Sequence, residues 1–268
     1  MREIEKLKRD PYLLEDSTVK DPPLGFFKRL NFLGPGLILT AGIVGSGELI
    51  ATTTLGAEVG FVLLWIIIIS CVIKVALQLV YGRAVIDTGE PTMTLFNRFP
   101  GPKLGSGNWS IWTWLLIMII VFFQSSGIMG GVAITIQMVL PDIRISIILL
   151  FVGLSVSLLI YKGYYQIVEK VCLILILLFT VLTVFCVAAL QFTPYAVSWR
   201  NILNGFEFRF PKGAVGIAIA AFGITGVGAD EILYYGYWCL EKGYASFAGS
   251  RHDSNAWIKR AKGWVGVI

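Results

Sequence analysis

Six apolar stretches, roughly 33–57, 60–82, 111–140, 145–161, 167–191 and 213–240, occupy most of this chain. Runs of this length with few charges read as membrane-spanning helices. In hydrocarbon each backbone N–H and C=O needs a partner inside its own segment, which leaves the helix as the solution for separate spans. The composition agrees. Only 15% of the residues are charged, against about 25% in an ordinary soluble domain. The sequence therefore predicts an all-α integral membrane protein, with a tail at 1–32, a transmembrane domain at 33–240 and a polar segment at 241–268.

The net charge of +5 does not call for a nucleic-acid partner, because Lys and Arg gather in the tails and loops beside the spans. Seventeen of them fall on the side of the N-terminal tail, and only Arg144, Arg200, Arg209 and Lys212 fall on the other. The positive-inside bias places the N-terminus in the cytoplasm, and the expected location is the plasma (inner) membrane, with the bilayer as partner. The tail has no apolar core of the kind a cleavable signal peptide needs. Cys71, Cys172, Cys186 and Cys239 lie in or beside apolar runs without CxxC spacing, and they read as small packing residues. Asn108-Trp-Ser110 matches a glycosylation sequon but falls on the cytoplasmic side.

Two spans are unusual. "GIVGSGELI" (Gly42–Ile50) in the first and "GITGVGADEIL" (Gly223–Leu233) in the sixth share Gly-Ile-x-Gly-x-Gly, with acids following closely. The two motifs run in opposite directions through the bilayer. Paired, glycine-interrupted segments in inverted halves point to the binding site of a secondary transporter. Close helix packing through small residues would explain the glycines but not the acids.

A carboxylate in mid-span costs on the order of 2.5–3.5 kcal/mol on insertion scales, so Glu48, Asp230 and Glu231 need a reason. One reason is capping: each lies at the start of a second half-helix, where the dipole favours negative charge and Ser46 can cap. The other is a cation site, in which the acids face carbonyls freed around Gly45, Ser46, Gly47, Val227 and Gly228. Lys74, inside the second span, either snorkels to the interface or acts as a charge partner to Glu48 or Asp230, in place of a bound cation. A set of carboxylates and carbonyls is hard, which suits Mg²⁺, Mn²⁺ or Ca²⁺.

The first span resembles that of the Nramp (natural resistance-associated macrophage protein) family of divalent-metal transporters. Gly34-Pro35-Gly36, Ala51-Thr52, Gly56, Gly60-Phe61 and Leu63-Leu64-Trp65 carry the likeness, with Gln78, Gly82 and Glu169 further along. The resemblance implies a LeuT-type fold of two inverted five-helix repeats. Here it would supply the first repeat plus one helix of the second, with spans one and six discontinuous and a seventh missing after 268, so that the chain reads as truncated. The family's Asp-Pro-Gly-Asn becomes Gly45-Ser46-Gly47-Glu48, and its Met-Pro-His-Asn becomes Gly228-Ala229-Asp230-Glu231. The methionine sulfur is gone. Gln124 and Gly127 stand where the family usually places acids on its proton route.

The expected activity is divalent-cation transport without proton coupling, with the ion as substrate and no cofactor. An amino-acid or amine transporter of the same fold is the alternative, although Glu48 would repel a substrate carboxylate. A non-transporting fragment is the third reading. Enzymatic chemistry is not expected, because His252 is the sole histidine and there is no HExxH or Ser/His arrangement.

Overall fold

The computed structural model describes residues 12–43, 51–161, 165–251 and 254–268. Among these the longer helices are α1 (Gly34–Ile43), α2 (Thr52–Val59), α3 (Leu64–Thr88), α4 (Trp109–Val139), α5 (Ile145–Tyr161), α6 (Tyr165–Leu190), α7 (Val215–Ile224) and α8 (Ala229–Lys242). Two more, α9 (Tyr244–Ala248) and α10 (Asn255–Val265), close the chain. The strands among the described residues, Lys103–Leu104 and Gly107–Asn108, form a small antiparallel hairpin.

Helices α3, α4 and α6 are each long and apolar enough to cross a membrane, and α7 with α8 makes a fourth such segment, interrupted between Ile224 and Ala229. Helices α1 and α5 are apolar but shorter. Phe122, Phe123, Ile160 and Leu177 are each more than 60% exposed. At about 25 cal/mol per Å² such surface could not be left in water, and hydrocarbon removes the penalty.

The chain divides into two compact units. In the unit Phe96–Val168, α4 packs on α5, with Met129 against Gly153. Asn108 is fully buried and caps α4: its side chain accepts from Ser110 N at 3.2 Å and donates to Phe99 O at 2.5 Å. The Asn-Trp-Ser triplet is thus a helix N-cap here.

The other unit joins Met1–Leu95 to Glu169–Ile268. Its centre is the α3–α8 pair. Gly236 is the point of close approach, because a Cβ there would meet Thr92 Oγ1 and come within 2.9 Å of Val85 Cγ2. Lys242 at the end of α8 pairs with Glu169 near the start of α6 at 2.5 Å.

A core cluster runs from Val227 through Tyr235 and Cys239 to Tyr244, Trp257 and Trp264. Residues 12–33 are strapped across this end. Thr18 Oγ1 donates to Ser246 O at 3.0 Å, Lys20 N to Phe247 O at 2.9 Å, and Trp264 Nε1 to Lys20 O at 2.9 Å. The two polar segments that the sequence shows as separate ends form one packed module.

Candidate functional site

The interruption between α7 and α8 is built from four residues, Thr225 to Gly228. Thr225 ends α7 in extended backbone, with both its N–H (2.9 Å) and its hydroxyl (2.7 Å) turned back to Ala221 O. Gly226 then takes a φ of +72°, a conformation in which other residues are strained. A Cβ at Gly226 would also come within 3.2 Å of Cys71 Sγ, so the glycine serves both the turn and the contact with α3.

A helix that stops in mid-membrane leaves carbonyls at its C-terminal end without partners, and they carry the negative end of its dipole. Helix α3 answers them with two side chains one turn apart. Ser70 Oγ donates to Phe222 O at 2.8 Å, with Thr225 O at 3.3 Å. Lys74 Nζ donates to Gly223 O at 2.9 Å and to Thr225 O at 2.7 Å. Lys74 is only 9% exposed and its ammonium lies 5.8 Å from the Phe222 ring centre. It therefore turns inward to the interruption and does not snorkel.

The other side of the interruption carries the opposite charge. Gly228 N donates to Glu231 Oε2 at 2.6 Å, which is one half of a capping box. Glycine has no side chain to supply the other half. The second oxygen of Glu231 lies 3.7 Å from the point where a Cβ on Gly42 of α1 would sit. Glu231 thus lies between the start of α8 and the end of α1. Asp230 is half-buried beside it, and its Oδ1 lies 2.8 Å from the Cβ position of Gly228. Val227 turns its side chain into the apolar core.

Of the residues that the sequence nominates, Val227, Gly228, Asp230, Glu231 and Lys74 thus gather around one interruption. Gly45, Ser46, Gly47 and Glu48 lie outside the described residues. Among the described residues no group of three or more His, Cys, Asp or Glu side chains is placed to hold a metal. Beside the interruption a cavity of about 370 Å³ opens between α1 and α3, with Thr40, Cys71, Gln78 and Gly226 among its lining.

Sequence reasoning missed Ser70 and the carbonyls of Phe222 and Gly223. A signal existed, since Ser70 and Lys74 share one face of α3 at the i,i+4 spacing.

An interrupted apolar helix, with an ammonium on its carbonyl end and carboxylates on its amide end, sits among segments long and apolar enough to cross a membrane, which defines an integral membrane protein. The family model for Natural resistance-associated macrophage protein-like (Nramp) sequences matches residues 36–242. The chain belongs to the Nramp family. Among its relatives are the proteins named Divalent metal cation transporter MntH of Staphylococcus aureus strains JH9, Newman and USA300. Each is 27% identical over 202 residues, which is 74% of this chain and 43% of the relative. The chain thus spans less than half the length of these curated relatives. No solved structure matches it.

Proposed function

We propose that this chain carries the ion-binding part of a secondary transporter or facilitator of divalent metal cations, of the Mg²⁺, Mn²⁺ or Ca²⁺ class. The observation that carries the reading is the interruption itself. Its carbonyl end already holds a positively charged group, Lys74, through two main-chain oxygens at 2.7 and 2.9 Å. A site that binds an ammonium in this way has the field that a metal cation needs, and Asp230 and Glu231 add negative charge across the gap. Membership of the Nramp family and the printed name of the MntH relatives point the same way.

The donors are all hard oxygens, and Gly228 supplies no sulfur to favour softer ions. On this reading the site discriminates poorly against Mg²⁺ and Ca²⁺. Gln124 and Gly127 of α4 cannot titrate, which supports uptake without proton coupling. Two assays in proteoliposomes test this. Mg²⁺ should compete with Mn²⁺ uptake, and a pH-sensitive dye inside the vesicles should register no metal-dependent acidification. Strong exclusion of Mg²⁺ with acidification would instead describe a proton-coupled transition-metal importer. An amine substrate is the second reading, because the carbonyl end is occupied by an amine here. Competition of Mn²⁺ uptake by a small primary amine, with Mg²⁺ inert, would favour it.

The proposed arrangement has six spans in a LeuT-type fold, with the N-terminus in the cytoplasm. Single cysteines at Gly105 and Asn255 should then be labelled from the cytoplasmic side, and one at Asn204 from the opposite side. Labelling of Asn204 and Asn255 from one side would rule out the six-span arrangement.

A further inference from the structure

We propose that Lys74 is a specificity-determining residue that acts as a tethered cation: its ammonium fills the carbonyl end of α7, and an incoming ion that uses these oxygens must displace it. The inference rests on the reading of the interruption as a cation path.

Three observations carry it. First, the ammonium bonds main-chain carbonyls, Gly223 O at 2.9 Å and Thr225 O at 2.7 Å. Carbonyls around the end of a half-helix are the ligands that interrupted transporter helices offer to ions. Second, Lys74 is 9% exposed in the middle of an apolar helix, where a lysine costs several kcal/mol unless its charge is compensated. A side chain needed only to cap carbonyls could have been uncharged, as Ser70 is one turn away.

Third, the interruption keeps its shape by other means. Gly226 supplies the turn, Thr225 returns its own hydroxyl to Ala221 O, and Ser70 takes Phe222 O. Lys74 therefore adds charge at a place already shaped without it. The chemistry follows from that charge. With Nζ docked, the carbonyl end is neutralised and one cation fewer is needed to occupy the gap. With Nζ withdrawn, two strong acceptors face the gap and demand a replacement.

The test uses the full chain in lipid nanodiscs, as wild type, Lys74→Met, Lys74→Gln and Lys74→Arg. Thermal unfolding is followed in N-methylglucamine chloride alone and with about 10 mM Mg²⁺, Mn²⁺ or Na⁺, a concentration well above the dissociation constant of a functional ion site. The Met and Gln variants should melt about 4 °C or more below wild type. At least half of that loss should return in one of the three ions, a larger stabilisation than the same ion gives wild type or Lys74→Arg. Mn²⁺ binding to the Met variant should also tighten by roughly tenfold or more. A loss that no ion restores, or an equal ion response in wild type and variants, would overturn the proposal and leave Lys74 a structural staple. Failure of both Met and Gln variants to fold in every salt would overturn it too. Wild-type Mn²⁺ uptake is scored separately. If it is absent while the variants still show ion rescue, the divalent reading fails and the tethered cation stands.

Discussion

Replacement of Trp264 by alanine should release residues 12–33 from the rest of the chain and cost about 3–5 kcal/mol, the range for truncating a buried large aromatic. Trp264 is 1% exposed. Its ring meets Phe32 edge-on at 5.1 Å, stacks with Tyr244 at 5.6 Å and tilts over Phe247 at 5.1 Å. Its Nε1–H holds Lys20 O, so the substitution also leaves that carbonyl without its donor. Limited trypsinolysis reads the result directly. Cleavage after Lys20, Lys28 and Arg29 should accelerate at least tenfold in the alanine variant and much less in Trp264→Phe, which keeps an aromatic ring in the cluster while losing the hydrogen bond and part of the packing. Unchanged cleavage in Trp264→Ala would mean that the strap is held by something other than this aromatic cluster.

The second large effect concerns the acids. Glu48→Gln or Asp230→Asn should weaken divalent-cation binding at least tenfold, about 1.4 kcal/mol. The expectation rests on the paired glycine motifs and on the half-buried place of Asp230 beside the interruption. Glu231→Gln is the informative comparison, since Oε2 of Glu231 is already committed to Gly228 N. It should lower thermal stability as well as affinity. Isothermal titration with Mn²⁺ on folded protein decides the matter. Equal affinity in wild type and in both the Glu48 and Asp230 variants would assign the acids to helix capping alone.

The helices of the lipid-facing part could be read from the sequence because hydrocarbon allows a single continuous segment few other ways to satisfy its backbone. The interruption at Thr225–Gly228 was legible for a related reason: Gly223, Gly226 and Gly228 crowd a segment that otherwise has every cause to stay helical. Glu231 as a cap was legible too, from its place three residues after Gly228. The partners of Lys74 were not. Sequence could say that an ammonium there needed compensation, but which carbonyls supply it depends on the register between α3 and α7, which no local pattern encodes. The strap of residues 12–33 was equally hidden. It contains Pro22 and Pro23 and is held by hydrogen bonds to residues more than two hundred positions away. Periodicity reports a segment's own face, not a distant partner.

That separation has a consequence in time. The carbonyl of Lys20 waits for a tryptophan 244 residues later. At a synthesis rate of about 5–20 residues per second, that wait is on the order of 10–50 s. Throughout it the apolar helices between are already entering the bilayer, while the partners of Thr18 and Lys20 at residues 246–264 do not yet exist. The module that unites the two polar segments therefore forms only after Trp264 has been made. Its aromatic pocket is completed in a single late event, and a ribosome stalled before Trp264 would present the membrane part of the unit with its strap still undocked.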